Sequence, residues 1–321
     1  MKQVFIFSLP RSGSTLMQRT LMAHKDIAST AEPWILLPQI YGLKEKGSLS
    51  EYGSMLAAKA INDLIENLPN KQEDYDTALR NFIVDIQSKL SKNNESYFLD
   101  KTPRYYLIID EIHRIFPEAK FIFLFRSPEQ IYTSMLSTWA NNRLRPFLDS
   151  YNDIVVGYKM LSQAYRTYQL KSIAINYESF VEAPESQLKN IMSYLDLEYD
   201  ESMINKFSSQ ETKGSLGDPT GIKDYKTISI NSLAKWKQIL DTNFRKRVAC
   251  KLINKIDSED LKAQGYDKSE IINSIKSIKT KTRLFTFTDW YDYYLNLLIR
   301  RFNLHLYFAK SFKWLKGKFM S

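Results

Sequence analysis

The segment Pro10-Arg11-Ser12-Gly13-Ser14-Thr15-Leu16 sets one cation, three hydroxyls and a glycine between the apolar run Val4-Phe5-Ile6-Phe7 and helix-forming residues. Side chains of these types in a strand-to-helix turn can hold an anion. Successive backbone N–H groups converge at a helix N-terminus, where the dipole and the unpaired donors favour negative charge, and Arg11 adds a full positive charge. The turn is therefore a candidate phosphate cradle, its alternative being an ordinary strand-to-helix connection. The P-loop pattern requires a glycine where Ser8 stands and a lysine where Ser14 stands, so the fit to a nucleotide triphosphatase is poor. Arg126 follows a second apolar run, Lys120–Phe125. Alone, each arginine reads as a surface ion-pair partner. Together they set two positive centres along one edge, which suits a ligand with phosphates at two separated positions. A triphosphatase would place a magnesium-binding carboxylate at the end of that neighbouring strand, where this chain has Arg126. Glu32 precedes Pro33, and the residue before a proline is held out of the helical region, which predicts a carboxylate at a fixed bend.

These residues need a scaffold that brings loop ends together. Apolar runs predict strands over Val4–Phe7, Asp26–Thr30, Tyr97–Asp100, Lys120–Phe125 and Ser172–Ile175. Between them, helical spacing covers Leu16–His24, two stretches within residues 51–92 broken at Leu68-Pro69-Asn70, Tyr105–Phe116, Glu129–Trp139 and Ile154–Gln169. Strands alternating with helices predict an α/β fold, a central parallel sheet flanked by helices, whose ligands bind at the carboxyl ends of the strands. Arg11, Glu32, Lys101, Arg126 and Tyr177 all fall at such ends. The expected organisation is a main domain over 1–265, with a helical insertion at about 48–92, and a helical C-terminal extension over 266–321.

Composition narrows the setting. The single cysteine, Cys250, excludes an internal disulfide framework and suits a reducing compartment, while three scattered histidines offer no metal-ligand cluster. No signal peptide or membrane-spanning run is visible, so the expectation is a cytoplasmic protein. The net charge is +9, and residues 276–321 hold ten lysines and arginines against Asp289 and Asp292. There Trp290, Tyr293, Tyr294, Leu297 and Leu298 share one helical face, and Leu304, Phe308, Phe312, Leu315 and Phe319 continue a second. Aromatics flanked by basic side chains suit an interfacial helix on an anionic membrane, the protein then being peripheral on the inner face; the alternative is a stripe packed on the main domain or another subunit. Nucleic acid is disfavoured, because so large an aromatic face would be buried rather than offered to bases.

Taken in order, Pro10–Leu16, Arg126 with Ser134 on the following helix, Asn176-Tyr177-Glu178, and Lys213-Gly214-Ser215-Leu216-Gly217-Asp218 resemble the motifs of sulfotransferases that use 3′-phosphoadenylyl sulfate (PAPS). The resemblance spans roughly residues 3–240 and implies a P-loop-NTPase-like sulfotransferase fold with PAPS as co-substrate and no metal. It gives Arg11, Ser12, Gly13, Ser14 and Thr15 the 5′-phosphosulfate, Arg126 and Ser134 the 3′-phosphate, and Tyr177 the adenine. Lys213 and Gly214 fall in a late loop over the 3′-phosphate, with Thr212 where the family usually has arginine. From Arg11 to Trp34 the segment is closer to tyrosylprotein sulfotransferases, in which a glutamate at the position of Glu32 is the general base. The histidine of the other common arrangement is absent from Lys101-Thr102-Pro103-Arg104.

Transfer of a sulfonate requires a proton taken from the acceptor hydroxyl and stabilisation of charge growing on the leaving phosphate. Glu32 is expected to do the first, Arg11 and the loop donors the second, and Lys101 to face the transferring sulfonate. A saccharide, glycolipid or phenol is the expected acceptor; Trp34, Tyr105, Tyr106 and Trp139 are candidate stacking platforms. The competing readings are a divergent P-loop nucleotide kinase or ATPase, and a non-catalytic membrane-associated nucleotide-binding protein. Oligomeric state is not legible.

Overall fold

In the computed structural model, residues 1–45, 47–48, 52–144, 148–210, 227–280 and 286–301 are described. In chain order they form β1 (Lys2–Ser8), α1 (Ser14–Met22), β2 (Ile27–Ser29), α2 (Leu36–Tyr41), α3 (Ser54–Glu66), α4 (Gln72–Leu90), β3 (Tyr97–Asp100), α5 (Ile109–Ile115), β4 (Lys120–Phe125), α6 (Pro128–Trp139) and α7 (Leu148–Tyr168). Then come β5 (Ser172–Asn176), α8 (Tyr177–Glu182), α9 (Pro184–Tyr194), α10 (Met203–Lys206), α11 (Trp236–Ile239), α12 (Asn243–Ile253), α13 (Ser258–Ala263), α14 (Lys268–Ser277) and α15 (Phe287–Arg301). The fold is the expected α/β one. Five parallel strands pair in the order β2-β3-β1-β4-β5, and helices connect them.

β1 is central and buried from Gln3 onward, which is why its sequence is apolar without alternation. Its register sets Phe5 opposite Asp100 of β3 and Ser8 opposite Leu124 of β4, so the loops leaving all three strands open on one edge. Beneath that edge an aromatic layer fills one face: the Phe7 ring meets Phe121 edge-on at 4.9 Å, and Tyr165 packs on Phe123 and Phe125 at 5.5 and 5.4 Å.

By density of contacts the chain divides into a unit of residues 1–126 with 160–230, which holds the sheet, and a second unit of 127–159 with 231–321. In the second unit three helices start at side-chain caps, Thr242 for α12, Asp257 for α13 and Asp267 for α14, each accepting from a first-turn backbone N–H. Two of its buried acids are paired with arginines. Asp292 takes a two-pronged contact from Arg143, and Asp289 takes one from Arg245.

Two readings of the sequence need adjustment. The helix expected over 105–116 is two elements, a 3-10 turn at Pro103–Leu107 and then α5, because Ile108 leaves helical geometry at φ −142°. Tyr105 and Tyr106 are buried in the core and are not platforms for an acceptor. In α15 the acidic residues face inward: Asp289 and Asp292 are buried, whereas Trp290, Tyr294, Leu297 and Leu298 are exposed. The second expected stripe, 304–319, is outside the described residues. Among those described, no helix is long and apolar enough to cross a membrane.

Candidate active site

The turn after β1 is built around two left-handed residues, Arg11 at φ 69° and Gly13 at φ 90°. Ser12 N donates to Leu9 O at 3.2 Å, closing the turn, and α1 begins at Ser14 with no side-chain cap and no acidic residue in its first turn. The helix thus offers its N-terminal donors to an outside acceptor. Ser8 and Ser12 strengthen that reading, since both hydroxyls are buried without a hydrogen-bond partner. Buried polar groups are normally satisfied, and an anion in the turn would satisfy these. Ser14 and Thr15, also buried, complete the cradle.

Glycine is required at position 13 by contact as well as by backbone. A Cβ there would lie 2.3 Å from the Tyr177 ring. That ring, at the start of α8 just past β5, also carries the Arg126 guanidinium 4.3 Å from its centroid. Arg126 in turn donates from Nη1 to the Arg11 carbonyl at 2.8 Å. The ends of β1, β4 and β5 are therefore locked together through Arg11, Gly13, Arg126 and Tyr177. Ser134 is on α6, in the second unit. Lys213, Gly214, Gly217 and Asp218 are outside the described residues.

Beside the turn, Lys101 at the end of β3 donates to Glu32 Oε1 at 2.8 Å and reaches Thr15 Oγ1 at 3.4 Å. The pair is largely shut from water, Lys101 being 1% and Glu32 14% exposed. Trp34 holds the other carboxylate oxygen, Nε1 donating to Glu32 Oε2 at 3.3 Å, from a left-handed backbone at φ 53°. The bend expected at Pro33 exists, and its carboxylate is coupled through Lys101 to the anion turn.

Asp100 is the buried neighbour of this pair. Burial pushes its carboxyl up to about 7, against the hydrogen bonds from Thr102 and Tyr105 and the charge of Lys101, which favour ionisation. Tyr105 Oη accepts from Leu36 N at 3.3 Å and donates to Asp100 at 3.2 Å, so the carboxyl braces the segment that follows Glu32 and Trp34. A carboxyl raised in the fold stabilises it fully below its ordinary value of about 4, and that contribution is lost as pH rises through the folded value. The difference in urea-denaturation free energy between Asp100→Asn and the parent should therefore move in favour of the variant from about pH 4 to about pH 8. Parallel curves for the two proteins would show that Asp100 is not shifted.

Polar residues on α1 hold the site and were not singled out by motif. Gln18 donates from Nε2 to Ser29 Oγ at 2.8 Å and to Thr30 O at 2.7 Å, fixing the strand end that leads to Glu32. Arg19, buried, donates to Ser208 O at 2.7 Å and Gln210 O at 2.9 Å, so the chain approaching Lys213 is tied to the helix that starts at the anion turn. Their signal was polarity at helix positions that the apolar spacing assigns to the core.

The site thus joins two arginines at one sheet edge, an uncapped helix N-terminus and a caged carboxylate. The profile of the Sulfotransferase family matches residues 3–201. The nodulation protein NoeE of Sinorhizobium fredii is 24% identical over 90% of this chain and 73% of its own length. Protein-tyrosine sulfotransferase 1 of Danio rerio is 26% identical over 74% of this chain and 66% of its own. Among solved structures, the sulfotransferase domain of the Synechococcus PCC 7002 olefin synthase shares 26% identity, covering 74% of this chain and 87% of the domain at a TM-score of 0.49. With more than half of its length matched by the family profile, the chain belongs to the sulfotransferase family.

Proposed function

We propose that this transferase moves the sulfonate of PAPS to a hydroxyl of a saccharide or glycolipid. The observation that carries the reading is the contact chain Glu32–Lys101–Thr15, which joins a half-caged base to an anion-binding turn. PAPS, when bound, supplies a sulfonate on a phosphate leaving group. Ser12, Gly13, Ser14 and Thr15 would hold its 5′ end and Arg126 its 3′-phosphate, with Tyr177 toward the base. Glu32 takes the proton of the acceptor hydroxyl. In doing so it loses the charge that neutralises Lys101, whose ammonium then acts on the turn side, where negative charge grows. Arg11 and the first N–H groups of α1 stabilise that same charge.

For the acceptor, Trp34 supports a saccharide. Its indole is fixed beside Glu32 by their hydrogen bond and offers an apolar face to a sugar ring. A second reading, tyrosine in a protein, is favoured by similarity to the Danio rerio enzyme over 74% of the chain. Transfer assays with free saccharides, lipid-linked saccharides and tyrosine peptides separate the two.

Calorimetry tests the nucleotide. The bisphosphate product, 3′-phosphoadenosine 5′-phosphate, should bind more tightly than ATP with Mg²⁺, and preference for ATP would overturn the reading in favour of a kinase or ATPase. Arg126→Ala should weaken the bisphosphate by roughly 1.5–3 kcal/mol, the worth of a charge-assisted hydrogen bond, and weaken adenosine 5′-phosphate far less. Equal losses for both would confine Arg126 to its contacts with Tyr177 and Arg11.

A further inference from the structure

The second unit contains a cavity of about 660 Å³ lined by none of the residues assigned above to the transfer. It is bordered by Lys246 and Arg247 of α12, Lys276 of α14, and the rings of Phe244, Trp290 and Tyr294. Among the described residues no carboxylate lines it. The two acids of α15 that would offset those cations are withdrawn: Asp289 is bound by Arg245 at 2.8 Å and Asp292 by Arg143 at 2.7 Å, both in the interior. Lys246 is held in place by the carbonyls of Lys276 and Ile278, at 2.7 and 2.9 Å, so its charge is positioned without being neutralised. Trp290 and Tyr294, which line the cavity, are exposed on α15 together with Phe287, Leu297 and Leu298.

We propose that this part of the molecule is a docking site for an anionic lipid bilayer, in which the cavity takes the phosphate of a lipid headgroup and the α15 face settles among the headgroups. Three cations around a cavity with no acid call for an anion. Rings adjoining the cations, and leucines next along the helix, call for a ligand that is anionic at one level and apolar at the next. A bilayer interface has that layering, and aromatic side chains with basic neighbours partition to it. A second copy of the chain fits less well, because a two-fold contact through this face would set the same cations against each other. The proposal is independent of the acceptor and nucleotide assignments above.

The test uses the full chain and co-sedimentation with vesicles of phosphatidylcholine alone or mixed with phosphatidylglycerol. Binding should require phosphatidylglycerol. The double variant Arg247→Glu/Lys276→Glu should bind the mixed vesicles at least about ten-fold more weakly, with bisphosphate affinity and thermal midpoint unchanged. Leu297→Ser/Leu298→Ser should also bind more weakly, and that loss should persist when salt screens the charges. Equal binding to both vesicle types would overturn the proposal, as would undiminished binding by the charge-reversed variant. Binding of sn-glycerol 3-phosphate without any binding of vesicles would make the cavity a soluble-phosphate site and overturn it too. Self-association of the lipid-free chain, abolished by the charge reversal, would show instead that the face is an interface between copies.

Discussion

Glu32→Gln is expected to lower kcat by about 10²–10⁴-fold, the usual contribution of a positioned general base, while bisphosphate affinity stays within a few-fold of the parent. The asymmetry follows from the geometry. Glu32 meets the anion turn only through Lys101, so its charge is needed for the proton and not for the nucleotide. Glutamine keeps an oxygen that can accept from Lys101. Its amide, however, faces Trp34 Nε1, a second donor, where the carboxylate oxygen had accepted. A single-turnover assay isolates the chemical step from product release. Activity within a few-fold of the parent would mean that the proton goes elsewhere.

The larger effect on stability should come from Lys101→Met. Removing one member of a buried ion pair leaves the other charge uncompensated and typically costs about 3–5 kcal/mol. Here the ammonium faces Glu32 and adjoins Asp100, and it is 1% exposed. Without it the buried Asp100 carboxyl loses a charge that favours its ionisation, and Glu32 loses its partner. The loss in urea-denaturation free energy should therefore be larger at about pH 8 than at about pH 5. The double variant Lys101→Met/Glu32→Gln should recover part of it, because the remaining polar group is neutral. A pH-independent loss, or no recovery in the double variant, would reduce the role of Lys101 to packing.

The positions of Arg11, Glu32, Lys101, Arg126 and Tyr177 on one sheet edge were legible because a strand buried on both faces writes an uninterrupted apolar run, and the first polar residue after it marks the carboxyl end. What that signal does not carry is the partnership of buried polar groups. Gln18 and Arg19 sit on α1 where spacing asks for apolar residues, and nothing local says that carbonyls distant in sequence will receive them. The same holds in α15, where Arg143 and Arg245 receive two buried aspartates, Asp292 and Asp289, that no local pattern marks. Tyr105, which could read as a stacking platform or as core, is core for a related reason. Its hydroxyl has a partner in Asp100, which lets a polar aromatic next to a motif residue belong to the core. The grouping of residues 127–159 with 231–321 depends on long-range packing, which local pattern does not encode.

The left-handed backbone at Arg11 and Trp34 bears on how the enzyme could be engineered. An L-residue in that conformation forgoes about 1–2 kcal/mol, and glycine or asparagine would recover much of it. Lys71 and Asp196 share that backbone away from the site, so a library screened for heat tolerance alone would be drawn to all four positions, and a clone changed at position 11 or 34 would lack the guanidinium of the turn after β1 or the indole that holds Glu32. Thermostability and turnover should trade off most steeply at codons 11 and 34, so a stabilising campaign on this scaffold should hold them fixed and search positions 71 and 196 instead.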